Sequence, residues 1–221
     1  MSFFQYDLKD IPLVLLVFAI SLSVHEFAHA FVAYKFGDST AKNQGRLTLS
    51  PFKHLDLFGT IAILILGFGW ARPVPVNRYN FKRPRLASLL TTAAGPISNF
   101  ILATIGVIIY VICYKYNLFT SFPHSLKITL DTFMNMFIQM NVVLFVFNLI
   151  PLPPLDGYRI IEDLVPNDVR AKMTQYEQYG SVIFLILVLT PLDNYTIQPI
   201  FNIAIPSVFH WINSIVSPLF M

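Results

Sequence analysis

The sequence predicts an all-α membrane protein: a polytopic bundle of about five to six transmembrane helices, with a small β hairpin or edge region near the cytoplasmic face. Three observations predict it. Of 221 residues, 55% are hydrophobic and only 12% charged, against roughly 25% charged in ordinary soluble domains. The mean hydropathy is +0.62. Apolar runs long enough for a hydrocarbon core about 30 Å thick recur along the chain, separated by stretches rich in Pro, Gly, Lys and Arg. With neither an internal repeat nor a low-complexity tract, one membrane domain over 1–221 is expected.

The first span covers residues 11–36 and stops at Gly37, a residue suited to a helix C-terminus. An acidic and basic n-region (Asp7, Lys9, Asp10) precedes an apolar pattern that runs on to Phe36, so the segment reads as retained rather than as a cleavable signal. Residues 38–50 are polar around Gly45, a composition that suggests a hairpin. Residues 57–69 are apolar but too short to cross and read as a re-entrant or interfacial helix. Prolines at 73 and 75 forbid a helix over 70–77 and favour an extended edge. Residues 86–114, interrupted near the start by Gly95-Pro96, form a second span, and 128–150 a third that ends at Pro151, Pro153 and Pro154. A short surface helix is expected over 155–165, then two further apolar segments, 179–192 and 197–216.

Charge sets the orientation. With these spans, twelve of the fifteen Lys and Arg residues fall on one face, so by the positive-inside bias the 37–85 loop is expected in the cytoplasm and the N-terminus outside. A net charge of +3 supplies no basic surface for nucleic acid, and 21 Phe and 10 Tyr suit lipid-facing and interfacial positions. Cys113, the only cysteine, excludes a disulfide framework and a thiolate metal cluster, and reads as a small buried hydrophobe.

Within the first span stands His25-Glu26-Phe27-Ala28-His29. Four positions apart on a helix, the two imidazoles share one face, about 6 Å apart along the axis, and suit one zinc ion, with Glu26 placed to act as general base toward water. Ionisable groups at mid-membrane cost about 2.5–3.5 kcal/mol each on insertion scales, so three within five positions call for a compensating partner. A hydrolytic zinc site wants a third protein ligand and an open position. Asp156 is the candidate, in Asn148-Leu-Ile-Pro-Leu-Pro-Pro-Leu-Asp156-Gly157, where prolines unwind a helix; its alternative role is a helix N-cap. Because His, Glu and Asp inside a membrane also mark ion pathways, a metal transporter using the same ligands is the rival reading.

These motifs, with Gly95-Pro96-Ile97-Ser98-Asn99 and Pro73-Val74-Pro75, resemble the site-2 protease family of intramembrane zinc metalloproteases, in a minimal form without a PDZ domain. The likeness spans roughly residues 11–160. It implies that His25, His29 and Asp156 bind one zinc ion, that Glu26 activates water, and that the substrate is a single-span membrane protein cut within or near its transmembrane segment. It further implies a substrate-holding or oxyanion role for Asn148, for which helix-to-helix hydrogen bonding is the alternative; for Asn99 packing is favoured. The extended 72–77 edge and the Gly45 hairpin are expected to receive the substrate as an added strand. Two elements depart from the family pattern: Thr48-Leu49-Ser50-Pro51 and His54-Leu55-Asp56-Leu57. His54 and Asp56 are read as a solvated or interfacial polar turn in preference to a second metal pair, and His124 and His210 as interfacial residues.

Overall fold

The computed structural model describes residues 6–67, 69–119 and 121–220. Nine α-helices are described: α1 Ile11–Lys35, α2 Thr40–Asn43, α3 Pro51–His54, α4 Leu57–Leu66, α5 Pro84–Lys115, α6 His124–Asn148, α7 Asp156–Leu164, α8 Asn167–Leu189 and α9 Asp193–Val216. Four helical segments have the length and composition to cross a membrane: Ile11–Lys35, Pro84–Lys115, His124–Asn148 and Asp193–Leu219. That is fewer than the five expected. The apolar stretch over 179–192 is the second half of α8, whose first half carries Asp168, Arg170, Lys172 and Glu177, so no sufficiently apolar window fits inside it. α4 is a short apolar helix within the stretch 57–69, as expected, although Phe68 lies outside the described residues.

The hairpin over 38–50 is a correction. The chain there makes the single helical turn α2, and Gly45, at φ +65, closes it through Gly45 N–H to Lys42 O and Arg46 N–H to Ala41 O. A glycine in the left-handed region ends a helix as readily as it turns a hairpin, and polar flanks do not separate the two. Buried Asp38 favours the helical turn, accepting from both Thr40 N–H and Thr40 Oγ1. Among the described residues the extended pairing reduces to one antiparallel bridge, Leu55 with Ala71.

α1 packs on α5 and α6 and is also contacted by α2 and α3. Small residues allow the close approach. α5 buries Ala87, Ser88, Thr91, Thr92, Gly95, Asn99, Ala103 and Gly106 at helical spacing, and α1 buries Ser21, Ser23, Ala30 and Ala33. In lipid, where apolar side chains gain nothing by leaving the solvent, such narrow seams and the hydrogen bonds across them hold helices together. One apolar cluster, Ala103, Val142, Val146, Val208, Ile212 and Val216, joins α5, α6 and α9; another, Val14, Phe18, Leu22, Ile63 and Leu144, joins α1, α4 and α6.

Candidate metal centre

His25 and His29 lie on α1, Glu26 beside them, and all three are buried. Asp156 reaches them from the far end of the chain. α6 stops at Asn148, the prolines carry the backbone through a compact turn, and α7 starts at Asp156. A Cβ on Gly157 would lie 2.6 Å from Ile150 O, so the turn closes only around a glycine. Asp156 makes no N-cap bond. Instead its Oδ2 stands 3.2 Å from His25 Nε2 and 3.4 Å from His29 Nε2.

The tautomers follow from the partners. His29 Nδ1 lies 2.7 Å from the Thr91 carbonyl, which only accepts, so Nδ1 carries the hydrogen. His25 Nδ1 lies 2.6 Å from Asn99 Oδ1 and likewise donates. In the neutral rings both Nε2 atoms are then lone pairs, 3.0 Å apart, facing a carboxylate oxygen that is buried without a hydrogen-bond partner. Three electron-rich atoms in such a space repel one another unless a cation sits among them. All three ligand atoms fall within 4.8 Å of one another. Room for an ion exists because α5 presents Gly95 there: a Cβ would fall 2.6 Å from His25 Nε2 and closer still to His29 Nε2. Two imidazoles and a carboxylate are a donor set that suits zinc and leaves a fourth position open.

The metal side of the site opens into a cavity of about 280 Å³, lined by Glu26, Trp70, Val74, Val76, Asn148 and Phe184 among others. Residues 70–77 form an extended strap along it and lead into a 3-10 turn, Arg78–Asn80. Arg72 N–H donates to His54 O at 2.7 Å, the Arg46 guanidinium donates to Arg72 O and Pro73 O, and Asn77 N–H donates to Asp38 Oδ2. Arg78 pairs with Glu162 and Asp163 of α7, each at 3.2 Å. Between these ties, Val74 N–H donates to Glu26 Oε2 at 2.7 Å.

The remaining residues singled out from sequence sort clearly. Asn148 lines the cavity and donates from Nδ2 to Leu144 O of its own helix. Asn99 does not line it; fully buried, it stands behind His25. His54 donates from Nε2 to Thr48 O, and Asp56 caps α4 by accepting from Gly59 N–H; both make local bonds in this turn, but His54 is fully buried rather than solvated. Cys113 is half-buried rather than buried. Thr91, Asn141 and the bond from the Val74 amide to Glu26 escaped sequence reasoning. Asn141, an amide within an apolar span, carried the one readable signal, which it shares with Asn135, Gln139 and Asn148 of the same helix; the roles of the other two rest on their backbone atoms.

Fold and site thus define a multi-pass membrane protein in which two histidines and an aspartate, grouped as metal ligands could be, lie beside the Glu26 carboxylate. The family model for peptidase family M50 matches residues 13–190, and the chain belongs to that family. A Bacillus subtilis protein provisionally named zinc metalloprotease YwhC is 54% identical over 217 residues, covering 98% of each chain. The Mycolicibacterium smegmatis protein provisionally named zinc metalloprotease Rip2 is 30% identical over 187 residues, covering 82% of this chain and 68% of the relative. Its Mycobacterium tuberculosis namesake is 29% identical over 181 residues, covering 79% and 66%. No solved structure matches. The resemblance to the site-2 proteases therefore holds, zinc is the metal that the family and the donor set indicate, and a transporter is not favoured.

Proposed function

We propose that this protein is an intramembrane zinc endopeptidase, formed by one membrane domain, that cuts single-span membrane proteins within or near their transmembrane segments. The observation that carries the reading is the convergence of His25 Nε2, His29 Nε2 and Asp156 Oδ2 on one point beside Glu26. A bound zinc ion supplies Lewis acidity toward water and the scissile carbonyl. His25, His29 and Asp156 hold it, and Gly95 keeps its surroundings clear. Glu26 lies one residue from a ligand, takes the proton of the attacking water, and passes it to the leaving amine. Asn148 spends one Nδ2 hydrogen on Leu144 O; the second is available to the developing oxyanion.

A substrate helix hides its carbonyls in its own hydrogen bonds, so it must unwind before attack. The strap offers less backbone than the sequence suggested, because prolines 73 and 75 lack N–H groups and Arg72, Val74 and Asn77 donate inward. An unwound segment therefore lies along Val74–Val76 chiefly through the Val74 and Pro75 carbonyls and the Val76 amide. The charge bias supports a cytoplasmic 37–85 loop, an external N-terminus, and access of water from the cytoplasmic side. Labelling of cysteines at 72–85 from outside the cell would reverse that orientation.

The test is reconstitution with a panel of single-span substrates. Wild type is expected to cut at least one, to stop on chelation, and to recover with zinc. Glu26→Gln is expected to keep its zinc and lose cleavage. Cleavage by Glu26→Gln at the wild-type rate would remove the base from the mechanism.

A further inference from the structure

Behind His25 runs a chain of amides whose polarity is fixed end to end. Asn141 of α6 donates both Nδ2 hydrogens, one to the Phe137 carbonyl at 2.8 Å and one to Ser21 Oγ at 2.9 Å. A backbone carbonyl only accepts, so the amide nitrogen must face Phe137 and Oδ1 must face α5. There it accepts from Asn99 Nδ2 at 2.9 Å, whose other hydrogen is directed at the Ser21 carbonyl at 3.4 Å. Asn99 is thereby left with Oδ1 toward His25, 2.6 Å from Nδ1. Ser21, Asn99 and Asn141 are all fully buried, so no solvent molecule relaxes the sequence of choices.

We infer that Asn141 is a positioning residue for the metal centre: by fixing the sense of the Asn99 amide it places the His25 hydrogen on Nδ1 and offers Nε2 as the ligand atom. An Asn99 amide turned over would present N–H to Nδ1, move the imidazole hydrogen to Nε2, and blunt that nitrogen toward any cation. The partners of ligating imidazoles commonly change metal affinity by 10- to 100-fold; here the control is one residue further out, on a helix that carries no ligand. His29 stands outside the relay, because Thr91 O alone fixes its tautomer. The inference rests on the proposed ligand role of His25 only for its consequence for zinc; the relay itself is a property of the metal-free protein.

The test uses the full chain in detergent with 15N-labelled histidine, first metal-free, then in competition for zinc with a chelator of known affinity. Asn141→Leu is expected to shift the His25 hydrogen toward Nε2, leave the His29 signals unchanged, and weaken zinc binding roughly 10- to 100-fold. Should Asn141→Leu not fold, Asn141→Ala, which leaves space instead of bulk, carries the same expectation. A folded Leu or Ala variant with Nδ1 still protonated and zinc affinity unchanged overturns the proposal, as does an equal change at His25 and His29. A tautomer shift in a protein whose wild type binds no zinc would uphold the relay and sink the metal-centre reading.

Discussion

The Val74 amide donates to the Glu26 carboxylate across 2.7 Å and 48 positions of sequence. Pro73 and Pro75 flank it, so this is the only N–H group in that stretch of the strap. The bond ties the Glu26 carboxylate, the proposed base, to a fixed backbone point. Val74→Pro removes the hydrogen and little else, since the segment is already extended between prolines. A hydrogen bond to a charged group contributes about 1.5–3 kcal/mol, so Val74→Pro is expected to lower kcat roughly tenfold or more, with zinc content unchanged. Val74→Ala, which keeps the amide, is expected to stay within about twofold. Steady-state cleavage of a reconstituted single-span substrate checks both, and equal rates for the two variants would contradict the role.

At Gly95 the prediction concerns metal alone. An alanine methyl would occupy the space between the two Nε2 atoms, while alanine favours the helix by about 1 kcal/mol over glycine. Gly95→Ala is therefore expected to fold with an unchanged circular dichroism spectrum and to purify with its zinc content reduced at least tenfold. Elemental analysis of the purified protein decides it.

Arg78 joins the strap to α7, and so to the helix that begins with Asp156. Glu162 and Asp163 are buried; Arg170 also reaches Asp163 at 3.2 Å and Thr174 Oγ1 donates to Glu162, so each carboxylate keeps one other partner when Arg78 is removed. Removing the partner of a buried carboxylate costs about 3–5 kcal/mol, and the partly exposed, shared Arg78 places the expected loss nearer 2 kcal/mol. Arg78→Gln should lower the thermal midpoint in detergent by several degrees and speed proteolytic cutting within 70–81. A melting curve superimposable on wild type would argue that the tie is inconsequential.

Asp38 gives a pH dependence outside the spanning helices. Burial raises its pKa, but hydrogen bonds from Thr40, Asn80 and the Asn77 amide outweigh burial and hold it below the ordinary 3.8. A carboxyl depressed on folding contributes stability that is fully present above the unfolded value of 3.8 and is lost as the pH falls through the lower folded value. Asp38→Asn is expected to melt below wild type at pH 7, with the gap closing progressively below about pH 4, in the range where an ordinary aspartate takes up its proton. A gap of the same size at pH 7 and pH 3 would place the effect in packing instead.

How much was legible can be argued from individual residues. His25 and His29 announce themselves by four-residue spacing in an apolar run, and Asp156 by the prolines that break its helix, because few other events explain ionisable groups in such settings. Segment 38–50 was misread because a left-handed glycine between polar residues suits a helix stop and a hairpin equally, and the deciding bond, Asp38 to Thr40, depends on which way one side chain turns. α8 was misplaced because its apolar half was read without the charged half with which it is continuous.

By itself the sequence determined the membrane character and singled out the candidate metal ligands and the proposed base, since these follow from residue type, spacing and the cost of charge in lipid. Tertiary structure alone decided which atoms of those side chains are offered. Thr91 O, Asn99 and Asn141 set the imidazole hydrogens, Gly95 sets the free space, and the Val74 amide holds Glu26, all through contacts between segments tens of residues apart. Hydrogen-bond direction is a property of juxtaposed groups, and a linear pattern carries residue identity without juxtaposition.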